Sequence, residues 1–305
     1  MKSLRRARPS LSIVVVAFEM RREAPRTVRS LSPAYQRGVS EADYEIIVVD
    51  NGSADPLTEA ELRAIAPNTR VHLMEGPGPS PAAAVNAGVA MARSDTVGII
   101  LDGARMVTPG VVAHALLGLR LYPRALVTTL AWHLGPDHQS RSIVRGYDQR
   151  TEDGLLESIG WPADGYRLFE IAALAGSNPA GWFLPLAESC CLFLCRSLYQ
   201  ELGGYDERFD LPGGGAVNLD TFVRACEMPG SELVVLLGEG SFHQVHGGVA
   251  SNATAGVPPE FWEQYQRLRG RPFAVPEKKR TYLGTVPPQA LIWVEESARA
   301  ARLGH

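Results

Sequence analysis

The sequence predicts an α/β protein with a Rossmann-like, mostly parallel central sheet flanked by helices. Two observations carry this expectation. Short β-branched runs of the type buried in parallel sheets, "LSIVVVAF" (11–18) and "YEIIVVD" (44–50), recur in the first half of the chain. Helically spaced apolar residues separate them, and strand alternating with helix is the signature of a doubly wound sheet.

Val28, Leu31 and Tyr35 follow the first run at helical spacing and predict a crossover helix. "TRVHLM" (69–74) and "TVGIILD" (96–102) predict further strands. Ser80-Pro81 predicts a helix start: a capping hydroxyl, then a proline whose missing N–H costs nothing there. Val85, Val89 and Ala92 give that helix its apolar stripe. Thr108-Pro109 repeats the device before Val112, Leu116 and Leu119. Ligands of such sheets bind beyond the carboxyl ends of the strands, where Asp50 and Asp102 stand.

Beyond "ALVTTLAWHLG" (125–135) the chain becomes irregular and rich in Gly, Pro and Trp. Residues 145–183 read as a long excursion with one short helix around Leu155–Ile159. "CCLFLC" is an expected strand, followed by a helix in "RSLYQELGGYDERF" stopped by Gly203-Gly204. "ELVVLLGEG" (232–240) is another strand; 258–268 and 288–303 are expected helices. The last is read as packing on its own domain, with a membrane surface as the alternative.

A chain of 305 residues accommodates one large domain with a small appendage. Its net charge of −3 offers no broad basic surface for nucleic acid. Lys2, Arg5, Arg6 and Arg8 form a basic, solvated arm, so membrane contact is at most peripheral. The apolar run from Ile13 to Phe18 is too short for a signal sequence or a membrane span. Cys190, Cys191, Cys195 and Cys226 lack zinc-finger spacing and fit the core of a reduced, cytoplasmic protein. A dinucleotide-binding reading fails, because "AFEMRREAPR" after the first strand has no glycine for a pyrophosphate turn. No Walker lysine motif is present either.

Five stretches then carry a resemblance: "LSIVVVAFEMRREAPRTVRSL", "YEIIVVDNGSADP", "AVNAGVAMARSDTVGIILDGARMVTPG", "LGGYDERF" and "HGGVAS". In this order, over residues 10 to 250, the chain resembles family-2 glycosyltransferases of the GT-A fold. The resemblance implies a nucleotide-diphospho-sugar donor, an unknown acceptor (glycan, lipid or small molecule) and a divalent cation, Mg²⁺ or Mn²⁺. It implies donor contacts at Ala17, Phe18 and Glu19, base recognition by Asp50, and closure over the nucleotide by Asn86. Asp102 matches the first acid of the family's D-x-D motif, near ribose and metal, within the donor stretch Asp102, Gly103, Ala104 and Arg105. The second acid of that motif is Ala104, so the motif is degenerate. His246 matches a late metal ligand. His243, three residues earlier, would face the opposite side of an extended segment and is left to the core or the acceptor pocket.

An inverting transfer needs a general base near the acceptor hydroxyl and neutralisation of the departing diphosphate. Asp220 matches the family's acidic motif before a helix, with Asn218 as the expected cap. Glu188 is the second candidate, as acceptor contact or alternative base. Asp102 and His246 alone make a thin metal shell, so Arg105 is expected to share the neutralising role through bidentate phosphate contact. Metal would then be weakly bound or dispensable. The alternatives are a non-catalytic nucleotide-sugar-binding pseudoenzyme and a retaining GT-A transferase. The expected organisation is a flexible basic arm (1–9), a GT-A domain (10–250) and a C-terminal helical extension (251–305). The domain divides into a donor half (10–135) and an acceptor half (136–250).

Overall fold

A computed structural model describes residues 8–248 and 257–303. Lys2, Arg5, Arg6 and the end of the "HGGVAS" stretch lie outside the described residues. The N-terminal part opens with β1 (Leu11–Ala17), α1 (Ala24–Ser30), β2 (Tyr44–Asp50), α2 (Glu59–Ile65) and β3 (Thr69–Leu73). It continues with α3 (Ala82–Ala90), β4 (Thr96–Ile100), β5 (Arg105–Val107), α4 (Val111–Gly118) and β6 (Ala125–Leu134). Residues 136–248 hold α5 (Gln139–Val144), α6 (Gln149–Ser158), β7 (Ala172–Leu174), β8 (Cys191–Cys195), α7 (Arg196–Glu201), α8 (Val217–Glu227) and β9 (Glu232–His243). The chain ends in α9 (Pro259–Arg269), β10 (Arg280–Gly284) and α10 (Leu291–Leu303).

One sheet runs through the molecule in the order β10-β9-β6-β8-β4-β1-β2-β3. Strands β1, β2, β3 and β4 are mutually parallel, as are β6, β9 and β10, while β8 runs antiparallel between the two groups. Strands β1 and β2 are buried on both faces, which explains why their sequences are continuous apolar runs without alternation. Asp50 ends β2 and Asp102 follows β4, so both stand at the same carboxyl edge.

Local capping differs from expectation at two helices. The Thr108 hydroxyl bonds the buried Glu239 carboxylate and accepts the Gly240 N–H, so α4 starts at Val111 without it. Asn218 lies inside α8, where its side chain bonds Glu188 and Tyr205 in place of capping. Tyr35 falls beyond the end of α1. The residues expected as a helical extension also supply β10, which joins the sheet beside β9. No helix among the described residues is long and apolar enough to cross a membrane.

The core on the acceptor side is organised by Trp132 of β6. Its ring packs against Phe169 at 5.1 Å, Trp182 at 5.8 Å, Phe242 at 5.9 Å and Trp293 at 5.1 Å between centroids. One side chain therefore joins the sheet to the excursion and to α10. Fully burying such an aromatic supplies several kcal/mol, and emptying its site leaves a cavity that rigid strands cannot close. Trp132→Ala is expected to lower folding stability by about 3–5 kcal/mol in urea unfolding.

Candidate active site

Strand β9 places the first site residue. Its first half pairs with β10 and its last residues pair with β5. Between them the register against β6 jumps from Thr128↔Val235 to Leu130↔Gly240, a bulge that bends the strand. Gly238 sits in this bulge at φ +80, and a Cβ there would meet the Thr285 carbonyl oxygen at 2.4 Å. Beyond the bend, His243 lies opposite Arg105 of β5 and His133 of β6.

Strand pairing stops at His243, so the expectation of an extended segment through His246 fails. The chain turns, and both imidazoles face Asp102. Asp102 Oδ2 lies 2.8 Å from His243 Nε2 and 3.3 Å from His246 Nε2, and the two nitrogens are 3.0 Å apart. His243, left to the core or acceptor pocket by spacing alone, thus joins Asp102 and His246. The odd spacing concealed it because the period-two rule holds only while a strand continues.

Asp102 Oδ1 accepts the Ala104 N–H at 2.9 Å, which fixes the carboxylate. His243 Nδ1 lies 2.6 Å from Gln139 Oε1. With the amide oxygen accepting, that proton resides on Nδ1 and the Nε2 lone pair faces Asp102. Burial, ahead of the opposing pull of Asp102, pushes His243 down to about 4, so the ring is neutral near pH 7. Burial also acts against charge on His246, but Asp102 outweighs it and raises that group. For Asp102, burial favours the neutral acid; His246 and His243 override it and hold the carboxyl well below its ordinary range.

A lone pair on His243 Nε2 therefore faces an anionic oxygen at 2.8 Å. One proton on His246 can bridge a single pair of these three atoms, and a cation between them satisfies all three. Neighbouring ligands around an octahedral ion with bonds of about 2.1 Å stand about 3.0 Å apart, which matches this spacing. The donor set fits a divalent cation.

Arg105 completes the cluster. Its Nε and Nη1 are buried and have no hydrogen-bond partner among the described residues. Burial works against its charge; the fields of Cys190, Asp102 and Glu188 outweigh that cost and raise it. Burial pushes the Cys190 thiol up, so that thiol is neutral and the two carboxylates are the working anions. Buried, unsatisfied guanidinium donors are costly, and an anionic ligand would satisfy them. Glu188 is half-buried and receives Asn218 Nδ2 at 2.8 Å, while Asn218 Oδ1 receives the Tyr205 hydroxyl at 3.0 Å.

The sequence of residues 12–153 matches the pattern described as glycosyl transferase family 2. Among solved structures the chain is similar to S. aureus TarS, with TM-score 0.54 and 14% identity over 85% of this chain and 39% of that one. It is also similar to S. aureus TarS 1-349 in complex with UDP-GlcNAc, with TM-score 0.54 and 13% identity over 85% of this chain and 65% of that one. The chain thus spans less than two thirds of either neighbour. The shared fold is GT-A. No curated protein sequence matches the chain.

The expected donor residues separate into three groups. Ala17, Glu19 and Asp50 line up at the carboxyl edge beside the Asp102 cluster. Asp50 Oδ1 accepts the N–H groups of Gly52 and Ser53, and its other oxygen takes no bond among the described residues. Glu19 adopts φ 53, donates its N–H to Ser53 and accepts the Ala54 N–H on its carboxylate, stapling two loops together. Phe18 beside it is 53% exposed on the rim. Gly103 and Ala104 act below the surface. Gly103 crosses β1 so closely that a Cβ would meet Ala17 and the Val16 carbonyl at 3.1 Å. Ala104 is packed in the apolar layer with Met20, Ala24 and Val107, so an acid there would be buried in hydrocarbon.

Asn86 is a correction. Its amide donates to the Tyr205 carbonyl at 2.9 Å and Glu207 at 2.8 Å, and its oxygen accepts from Tyr199 and the Tyr205 N–H. All four capacities are used, so it clasps α3 to the turn after α7 and has none left for a nucleotide. Asp220 is the second correction. It is fully buried, and Arg224 and Arg269 occupy both of its oxygens. Arg269 also binds Asp206, and Arg224 binds the carbonyls of Leu202 and Gly204. A base must reach an acceptor hydroxyl, and this carboxylate is closed off by two guanidinium groups.

Sequence reading missed His243 and also Gln139 of α5, whose stretch gave no signal. Removing one member of a buried ion-pair cluster strands the others. Asp220→Ala is therefore expected to cost about 3–5 kcal/mol in folding stability, with nucleotide affinity of the folded fraction unchanged in calorimetric titration.

Proposed function

We propose that the protein transfers a sugar from a nucleotide-diphosphate donor to an acceptor hydroxyl, with inversion, and that Glu188 is the general base. The observation that carries this reading is the Asp102–His243–His246 cluster at the carboxyl edge of the sheet, with Asp102 and Glu188 both close enough to Arg105 for their charges to act on it. Donor diphosphate would lie across Asp102 and Arg105, its nucleoside toward Asp50 at the neighbouring strand end. A similar fold is known in complex with UDP-GlcNAc, which supports a uridine diphosphate sugar as the first donor to test.

Asp102, His243 and His246 would hold a divalent cation, which supplies positive charge to the leaving diphosphate. Two imidazoles with one carboxylate make a softer set than an all-oxygen site, and favour Mn²⁺ over Mg²⁺. With three ligands the shell is not thin, so Arg105 supplements the cation and does not replace it. Its unsatisfied Nε and Nη1 would donate to phosphate oxygens. Glu188 would take the proton of the acceptor hydroxyl as that oxygen attacks the anomeric carbon. Asn218 holds the Glu188 carboxylate through one N–H and leaves its remaining lone pairs for that proton.

The test has two parts. Mn²⁺ with a UDP-sugar should raise the melting temperature more than either alone, in a screen of UDP-, GDP- and dTDP-sugars. Glu188→Gln should then lower kcat by about 10²–10⁴-fold while preserving that shift. A shift without turnover for any donor in the wild type would instead support a nucleotide-sugar-binding module. A Glu188→Gln variant with wild-type kcat would remove Glu188 from the chemistry.

A further inference from the structure

Between His243 and His246 no strand ladder holds the backbone, yet the two imidazole nitrogens meet within 3.0 Å. The intervening backbone donors need other partners. Gln244 N–H donates to the Ala104 carbonyl at 2.8 Å, and its side chain donates to the Glu23 carbonyl at 3.1 Å. Val245 N–H donates to Glu152 Oε2 at 2.7 Å. Glu152 belongs to α6, inside the long excursion of residues 145–183.

Glu152 has no exposed side-chain surface. Its second oxygen receives both terminal nitrogens of Arg22 at 3.3 Å, and Tyr147 donates its hydroxyl to Oε2 at 3.3 Å. Arg22 also reaches the Val245 carbonyl at 3.5 Å and the Gln149 carbonyl at 2.9 Å. The peptide between the two histidines is thus gripped at its N–H by α6 and at its carbonyl by the segment before α1. A buried carboxylate is expensive unless its partners are strict about position. Gln139 of α5, just before the excursion, sets the proton on His243 Nδ1.

We propose that Glu152 is a positioning residue for the His243–His246 pair, so that the excursion braces the cation site from behind. This rests on the cation reading above. Outer partners of ligands set their orientation, and their loss commonly weakens metal binding by about 10–100-fold. What Glu152 supplies is reach to the Val245 N–H, and its charge is answered by Arg22. Reach and charge can be separated. Glu152→Gln keeps an acceptor oxygen at the same distance and drops the charge; Glu152→Asp keeps the charge and withdraws the oxygen by one methylene.

Mn²⁺ affinity by electron paramagnetic resonance titration, with melting temperature as a fold control, tests the proposal on the full chain. Glu152→Gln should bind Mn²⁺ close to wild type, while Glu152→Asp should bind about 10-fold or more weakly. Hydrogen exchange of metal-free protein should be faster at 244–246 in Glu152→Asp only. Equal affinities in Glu152→Asp and wild type, or the reverse order of the two variants, would overturn the proposal. If the wild type binds no Mn²⁺, the cation reading fails. Exchange at 244–246 then decides the brace separately: faster exchange in Glu152→Asp supports it, and unchanged exchange refutes it.

Discussion

The site depends on one electrostatic constraint: a carboxylate oxygen and two imidazole nitrogens converge within about 3 Å, a spacing typical of ligands sharing one ion. Several features of the fold bear on that convergence. The bulge at Gly238 turns β9 away from β10 and toward β5, bringing His243 across from Arg105. Gly103 lets the chain after β4 press onto β1, and the Ala104 N–H fixes Asp102. Ala104 sits in hydrocarbon, and two imidazoles stand beside Asp102 at and just beyond the end of β9.

The acceptor half has a second centre, and it is structural. Arg269 from α9 reaches Asp206 and Asp220, while Arg224 links Asp220 to the turn after α7. Asn86 ties the same turn to α3 in the donor half. Two stretches that carried the family resemblance, around Asn86 and Asp206, therefore converge with Asp220 on scaffolding. The C-terminal residues enter the same framework, since Arg269, β10 and Trp293 all pack onto the central sheet or its core.

The parallel sheet and its carboxyl edge were legible because apolar runs without alternation are a strong signal of strands buried on both faces. Asp50, Asp102, Arg105 and His246 were legible as neighbours through the order of motifs. Asp220 was misleading for a physical reason. A first-turn aspartate looks the same in sequence whether it faces a cleft or a guanidinium 49 residues onward. His243 was hidden because a bend and a strand end cancelled the face alternation on which its exclusion rested. Gln139 and Glu152 were invisible, because their value lies in reaching another segment's imidazole or N–H, and no local pattern encodes that.

The most direct measurement is Mn²⁺ binding to His243→Ala beside His246→Ala, followed by electron paramagnetic resonance in folded protein. A three-ligand site predicts that both variants weaken Mn²⁺ comparably, although only His246 occupies a position the family resemblance marks. Wild-type affinity in His243→Ala, with loss confined to His246→Ala, would contradict the account.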